Sequence, residues 1–215
     1  MQLLQQLLAW LPASPAYQRA AGSLRAGRRA AVQGLSASAK SYWMATLMQE
    51  LRPQPFLIVA PGDEDVKRIL AELNSFGVDG AEPFPALEIS PYERISPDPG
   101  RVHQRQLALA ALRGRRLGAL VTTARALLQV LPPVRVWEEA VIELEAGMSL
   151  APAALTQMLV RLGYRVSAQV TEYGEFSRRG GLLDVYSPGN PLPLRAVTAH
   201  GASRPRERFF GVART

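Results

Sequence analysis

Residues 34–41 read Gly-Leu-Ser-Ala-Ser-Ala-Lys-Ser, a phosphate-binding loop of the Walker A type in which one glycine is replaced. Gly34, Lys40 and Ser41 stand at the spacing of G-x-x-x-x-G-K-[S/T], but the second glycine of that pattern is Ala39. In a working loop the glycines let backbone N–H groups surround the phosphates, and a methyl group at position 39 crowds that approach. The residues therefore predict a fold built for nucleotides that has lost its nucleotide.

The sequence around this loop alternates between strand and helix patterns, which predicts an α/β domain with a largely parallel sheet over residues 1–132. Phe56–Ala60 is an apolar run ending in Pro-Gly, as expected of a buried parallel strand. The other expected strands are Arg28–Gln33 and Leu117–Thr122. The expected helices are Met1–Leu11, Ser41–Leu51, Asp63–Phe76, Arg101–Arg113 and Ala124–Leu131, the last capped by Thr123.

The pattern changes after Pro132-Pro133, where we place a domain boundary. The expected elements are strands at Val141–Leu144, Tyr164–Val170 and Leu182–Tyr186, with a helix at Ser149–Leu162. This composition predicts a small α+β domain over residues 133–195.

Composition excludes several classes of site. The chain has no cysteine and two histidines, which leaves no thiolate metal site and little for histidine-based catalysis. No apolar stretch approaches the ~20 residues that cross a bilayer, so we expect a cytoplasmic protein without a membrane partner. The net charge of +7 suggests nucleic acid, but nearly all of it is arginine, which favours a compositional bias over a dedicated DNA-binding patch.

No catalytic residues or cofactors are expected. An apolar strand ending in Asp, which would hold Mg²⁺ beside the loop, is missing, because Phe56–Ala60 ends in Pro-Gly and Leu117–Val121 in Thr-Thr. Asp184 and Glu175 are too isolated to be argued as a catalytic pair.

Two polar segments are candidates for contacts with a partner. Tyr92, Glu93 and Arg94 lie in a proline-rich loop that either forms a contact site or packs against the sheet, and the residues favour packing. Gly163–Pro193 places arginines close to aromatic residues, a mixture enriched at binding hot spots, although a solvated hairpin explains it equally well. The residues concerned are Arg165, Arg178, Arg179, Tyr173 and Phe176.

These segments together resemble the amino-terminal, UvrB-like module of bacterial transcription-repair coupling factors (the Mfd family). The matching stretches are GLSASAKS, ALEISPYERISPDPGRVHQRQLALAAL, VTTARALLQVLPP and LVRLGYRVSAQVTEYGEFSRRGGLLDVYSPGNPLPLR. The resemblance implies a P-loop-NTPase-like domain with a degenerate Walker A loop, followed by a small domain that docks onto UvrA. It implies a role in transcription-coupled nucleotide excision repair, in which UvrA is recruited to lesions that stall RNA polymerase.

The resemblance also implies the site residues. Arg165 and Arg179 match positions that bind UvrA, and Phe176 and Arg178 are weaker candidates by adjacency. This chain is then a monomeric, non-catalytic interaction module. The family's ATP-dependent DNA translocase, of the helicase class, and its contacts with DNA and RNA polymerase belong to the full-length protein. The alternative is a UvrB-like, ATP-dependent protein that handles DNA in excision repair.

The last twenty residues depart from the family pattern. Ala196–Thr215 contains no Leu, Ile or Asp and carries four arginines. We expect a truncated or frameshifted sequence near Arg195, a non-family tail over residues 196–215, and an incomplete small domain that lacks its closing strands.

Overall fold

The computed structural model describes residues 6–88, 97–131, 133–135, 141–144, 151–187, 192–197 and 207–210. The chain forms two compact units: Met1–Pro85 with Ala111–Leu127, and Ala86–Ala110 with Leu128–Thr215. Among the described residues, no helix is long and apolar enough to cross a membrane.

The first unit contains a three-stranded parallel sheet in the order β1-β3-β2. The strands are β1 (Phe56–Ala60), β2 (Ala81–Phe84) and β3 (Ala119–Thr123). Phe56 and Ala81 both pair with Ala119, so the three strands begin at the same level. This confirms the predicted mixed α/β class with a parallel sheet.

Helices α1 (Pro15–Arg25), α2 (Ala37–Glu50), α3 (Asp63–Ser75) and the short α5 (Ala124–Leu127) belong to this unit, and α4 (Pro99–Arg113) begins in the second. One face of the sheet packs against α2 and α3 through a core that includes Ala45, Leu73 and Val121. Acidic residues fill the first turn of α3, where they interact favourably with the helix dipole.

Several predicted elements of this unit need correction. Arg28–Gln33 forms no strand: every residue there is exposed, and a strand without a neighbour has no partner for its backbone groups. Helix α2 begins at Ala37 rather than Ser41, and α5 ends at Leu127 rather than Leu131. Of the predicted helix at Met1–Leu11, only the end is described, and it passes into a 3₁₀ turn at Leu11–Ala13.

The second unit contains a four-stranded mixed sheet in the order β5-β6-β7-β8. Its strands are β5 (Arg165–Val166), β6 (Glu175–Arg179), β7 (Leu182–Tyr186) and β8 (Leu194–Val197). Helix α6 (Pro152–Arg161) contributes Leu155 and Leu159 to the core beneath it. The β5–β6 pair is parallel and the other two pairs are antiparallel.

Residues beyond Arg195 form strands that the sequence pattern did not predict. Strand β8 continues to Val197, and β9 (Glu207–Phe210) pairs with β4 (Val141–Leu144) in an antiparallel ladder. The expectation that the tail supplies no strand is therefore wrong for these residues, because backbone pairing does not require the apolar periodicity used to predict strands. The domain boundary at Pro132-Pro133 stays a prediction.

Candidate partner-binding surface

The four-stranded sheet has two sides of different character. Side chains alternate across each strand, so the strand register decides which residues share a side. The side that faces α6 carries Phe176, Leu183 and Val185, all of which are buried. We call the opposite side the outer face; its members on paired positions are Arg165, Glu175, Ser177, Arg179, Leu182, Asp184, Tyr186 and Arg195.

The outer face brings together the two strongest candidates from the sequence. Arg165 on β5 pairs with Glu175 of β6, and Arg179 lies four residues further along β6. Both arginine residues are exposed. The register therefore places the two guanidinium groups on one side of one sheet, at separate positions in the strand order.

The two weaker candidates belong to the other side. Phe176 is 1% exposed and packs in the core with Leu159 and Val185, so its side chain does not reach the surface. Arg178 follows the same alternation as Phe176 but is exposed at the end of β6. The prediction of Phe176 as a partner contact is corrected here, because adjacency in sequence ignores the alternation of a strand.

Arg179 is held in place by a neutral partner. Its Nη2 donates a hydrogen bond to the carbonyl oxygen of Ala168 at 2.6 Å. A carbonyl orders the guanidinium group without cancelling its charge. Arg165 lies 4.0 Å from the carboxylate of Glu172, and the side chains of both are more than 60% exposed, so this ion pair is weak. Both arginines thus keep positive charge available to a partner.

Asp184 and Arg195 form the tightest charged contact on this face. The Arg195 guanidinium donates to both carboxylate oxygens of Asp184, at 2.6 and 2.9 Å. This bidentate pair lowers the pKa of Asp184, because the hydrogen bonds from Arg195 favour the ionised carboxylate. Their charges cancel, and the remaining charged residues of the face are Arg165, Arg179 and Glu175, so the face carries a small net positive charge.

Glu175 organises the loop before β6. Its Oε2 accepts hydrogen bonds from the backbone N–H groups of Thr171 and Glu172, both at 3.0 Å. The Thr171 bond is the main cause that lowers the pKa of Glu175. Glu175 and Asp184 therefore have separate structural partners.

An aromatic stack lies at the Tyr186 end of the face. The ring of Tyr173 stacks on His103 of α4 at 3.8 Å between centroids, and contacts Tyr186 at 4.3 Å. Burial lowers the pKa of His103, which favours the neutral imidazole in this stack. The hydrogen bond with Tyr186, together with burial, raises the pKa of Tyr173 to about 12. Sequence inspection had linked Tyr173 with the arginines but had not found His103.

The loop at Gly34 passes early into helix α2. Gly34 has a φ of +80°, but α2 is already helical from Ala37, three residues before Lys40. The Lys40 N–H donates to the Ser36 carbonyl within the helix, so it is not free for a phosphate. The Lys40 side chain is exposed.

Glu72 of α3 accepts hydrogen bonds from two serine hydroxyl groups at the start of α2. Its carboxylate accepts hydrogen bonds from Ser41 Oγ at 2.5 Å and Ser38 Oγ at 2.8 Å, and from Arg68 at 3.1 Å. Burial opposes the ionised form, but these hydrogen bonds outweigh it and the pKa of Glu72 is lowered. Ser41, which would hold Mg²⁺ in a working loop, is fully buried against this carboxylate.

Two further points concern the remaining candidates. Tyr92, Glu93 and Arg94 lie outside the described residues. Within the described part of the chain, no cluster of three or more His, Cys, Asp or Glu side chains is placed to hold a metal ion.

Comparison with known proteins adds to this geometry. The UvrB interaction domain family matches residues 142–199, a range that contains the whole outer face. A transcription-repair-coupling factor of Myxococcus xanthus is 38% identical over 180 residues, which is 80% of this chain and 15% of that protein. Those of Mycobacterium tuberculosis and Escherichia coli are 32% and 29% identical over 75% and 70% of the chain. The resemblance to the transcription-repair coupling factors is confirmed.

The chain spans about one seventh of the length of these coupling factors, since it covers 15% of the Myxococcus protein and 13% of the Escherichia protein. The match to the UvrB interaction domain extends to residue 199, four residues past the point at which the family pattern was expected to end. Sequence inspection missed the Asp184–Arg195 pair and the Ala168 carbonyl, because both depend on which strands pair.

Proposed function

We propose that this chain is a non-catalytic interaction module that binds UvrA through the outer face of its four-stranded sheet. In the context of a longer coupling factor, it recruits the excision-repair machinery to lesions that stall RNA polymerase. The observation that carries the proposal is the common position of Arg165 and Arg179 on one exposed face, within the region that matches the UvrB interaction domain.

The chemistry of the face suits a protein partner. A guanidinium group offers planar, paired donors that fit carboxylate or backbone carbonyl acceptors. Leu182, which is 38% exposed, lies between β6 and β8 on the same side and adds apolar area. A charged rim around an apolar contact is typical of a specific protein interface.

The alternative function, a UvrB-like ATP-dependent protein, finds less support at the Gly34 loop. The early start of α2 uses backbone N–H groups that would otherwise bind phosphates, and Glu72 brings a negative charge to the same place. A carboxylate at this position repels a nucleotide phosphate. We therefore propose that this loop is structural and that Gly34, Lys40 and Ser41 bind no nucleotide.

Two parallel titrations separate these functions. The folded chain is titrated with purified UvrA by isothermal calorimetry, and separately heated with and without Mg²⁺–ATP. Saturable UvrA binding with an unchanged melting temperature in ATP supports the interaction module. Stabilisation by ATP without UvrA binding supports the alternative.

DNA and RNA polymerase are proposed as partners only of a full-length coupling factor. We further propose that this chain is monomeric and cytoplasmic. Sedimentation of the purified chain, alone and with UvrA, tests the first of these proposals directly.

A further inference from the structure

A cleft of about 250 Å³ opens at the start of the parallel sheet in the first unit. Its lining combines apolar side chains with three arginines, Arg52, Arg115 and Arg116. The apolar part of the lining includes Phe56, the first residue of β1, and Leu117, which lies two residues before β3. We call this the basic cleft. It is separate in sequence from the outer face, and the UvrA proposal does not use it.

The backbone that carries two of these arginines is tightly fixed. Arg115 has a φ of +52° and is the one described non-glycine residue with a positive φ. Such a backbone is strained for a residue with a Cβ, and it persists only where the surroundings enforce it. The N–H groups of Arg115 and Arg116 bond back to the carbonyls of Leu112 and Ala111, at 3.2 and 3.0 Å.

Two glycines allow the turn at Arg115 and Arg116 to lie very close to the start of β2. The Gly118 N–H donates to the Gly80 carbonyl at 2.8 Å. A Cβ on Gly118 would collide with the Asp79 carbonyl oxygen, and one on Gly80 would collide with that of Arg116. The close approach therefore requires glycine at both positions, and it holds the arginine turn at the mouth of the cleft.

The three guanidinium groups have no carboxylate within ion-pair distance among the described residues. Most of the ion pairs described in this unit are between side chains on neighbouring turns of α3, and they do not involve the cleft. Asp79 also lines the cleft but forms no ion pair with any of the three arginines. The lining of the cleft thus carries three positive charges and one negative charge, and none of the three arginines forms an ion pair with that carboxylate.

We propose that the basic cleft binds the phosphate of a nucleotide, either free or within a nucleic-acid strand. Arginine is the side chain best suited to phosphate, because its paired N–H donors match two phosphate oxygens. The apolar residues of the lining, Phe56 among them, offer a surface for the base or sugar attached to that phosphate. A volume of about 250 Å³ leaves room for a phosphate and part of the group attached to it, and is too small for a folded partner.

The test is fluorescence anisotropy of a labelled single-stranded 20-mer with the full chain, at several salt concentrations. The triple variant Arg52→Ala/Arg115→Gly/Arg116→Ala removes the cleft charges, and glycine at 115 suits the positive φ. The control variant Arg19→Ala/Arg28→Ala/Arg29→Ala removes three exposed arginines that do not line the cleft, so both variants have the same net charge.

We expect the cleft variant to bind about tenfold more weakly and to lose about 2 from the slope of log K against log salt, since three phosphate contacts account for roughly 0.7 each. The control should keep the slope of the native chain. Equal losses in both variants, or a native chain that binds neither the oligonucleotide nor adenosine monophosphate, would overturn the proposal. If the triple variant unfolds, the double variant Arg52→Gln/Arg116→Gln is used in its place, because it leaves the strained turn at Arg115 unchanged.

Competition distinguishes the two sources of phosphate. Displacement of the oligonucleotide by adenosine monophosphate or inorganic phosphate at millimolar concentration assigns the cleft to a free anion. Resistance to both, with continued dependence on the cleft arginines, assigns it to a phosphodiester strand. UvrA binding is measured on the same variants, and it should stay unchanged because the two sites share no residue.

Discussion

At the scale of single residues, Arg179 and Arg165 differ in how their guanidinium groups are held. The Ala168 carbonyl fixes Arg179 before any partner arrives, so less side-chain entropy is lost when it binds. Arg165 is less restrained, with a side chain that is 73% exposed and a carboxylate only at the limit of ion-pair distance. Arg179 is therefore the better candidate for a binding hot spot.

We expect Arg179→Ala to weaken UvrA binding by about 2 kcal/mol, roughly 30-fold, and Arg165→Ala to weaken it by less. The cause is loss of a donor that is already ordered on the outer face. Calorimetric titration of each variant measures the effect, with Arg178→Ala on the other side of the sheet as the control. A larger loss for Arg178→Ala than for Arg179→Ala would contradict the assignment of faces.

Tyr164 carries a buried polar contact that stabilises the small unit. Its hydroxyl donates to Ser187 Oγ at 2.8 Å, and both residues are buried. Tyr164→Phe removes this bond without changing the packed ring, so we expect a loss of about 1 kcal/mol in unfolding free energy. Urea denaturation measures this loss, and the slope of unfolding free energy against urea concentration should stay unchanged. An unfolding free energy equal to that of the native chain would show that the bond contributes nothing.

The residue types at the candidate positions were readable from the sequence, but their directions were not. Arg165 and Arg179 could be picked out by type and by resemblance. The placement of Phe176 in the core required the register of β6 against β7, because one residue of difference moves a side chain to the other face.

At the scale of elements, the loop between β5 and β6 depends on one carboxylate. Glu175 binds the N–H groups of Thr171 and Glu172, while Ala168 in the same loop holds Arg179. The loop therefore couples the order of the backbone to the position of the candidate contact residue.

This coupling predicts a pH dependence. The pKa of Glu175 is lower in the folded chain than its usual value of 4.5, so its contribution to stability is present above that value and is lost as pH falls through the folded pKa. We expect the native chain to lose more unfolding free energy between pH 6 and pH 3 than Glu175→Gln does. Urea titrations at both pH values measure this.

The exposed carboxylate of Glu64 on α3 provides the control. Glu64→Gln should follow the pH profile of the native chain. Matching profiles for the native chain and Glu175→Gln would contradict the structural role of that carboxylate.

The backbone of the first turn of α2 determines whether the Gly34 loop can bind a nucleotide. Restoring the glycine of the pattern with Ala39→Gly removes the methyl group but leaves a helical backbone and the Glu72 carboxylate in place. We expect no stabilisation by Mg²⁺–ATP, and a lower stability by about 0.5–1 kcal/mol because glycine weakens a helix. Thermal unfolding with and without Mg²⁺–ATP checks this. A rise of several degrees in the variant would show that the methyl group alone had blocked the nucleotide.

Elements with a strong apolar pattern were predicted well. Phe56–Ala60 and Leu182–Tyr186 form strands with the predicted bounds, but Leu57 and Val59 are exposed, so the expectation that the first strand is buried is wrong for those residues. Strand β2 was missed because Ala81-Glu82-Pro83-Phe84 contains a proline and a charge, and only its place at the sheet edge tolerates the proline. Arg28–Gln33 failed as a strand because a local pattern cannot show whether a neighbour is present.

At the scale of the whole molecule, the two sheets of the second unit separate the candidate interface from the tail. Strands β5–β8 form one sheet, whereas β9 pairs with β4 and, among the described residues, with no other strand. The outer face therefore does not require the residues after Val197.

We expect removal of residues 198–215 to leave UvrA affinity within about threefold of the native value, because no outer-face residue is lost. The unfolding free energy should fall, because β4 loses its partner. Titration and urea denaturation of the shortened chain measure both. Loss of UvrA binding by a shortened chain that still unfolds cooperatively would place part of the interface in the removed segment.

The charge of the chain as a whole also separates into regions with different roles. The net charge of +7 reflects an arginine-rich composition, yet three arginines line the basic cleft and three lie on the outer face, where Arg195 is paired with Asp184. Composition gives only their number, since the turn at Arg115 and the pairing of β5 with β6 arise from tertiary contacts.

The central claim is that the outer face binds UvrA, and the most direct test is titration of UvrA with two double variants of equal charge. Arg165→Ala/Arg179→Ala removes the candidate contacts, and Arg161→Ala/Arg178→Ala removes two exposed arginines elsewhere in the same unit. We expect the first to lose at least about 100-fold in affinity and the second to stay within about threefold of the native chain. Equal affinities for both variants, or no binding by a folded native chain, would contradict the claim.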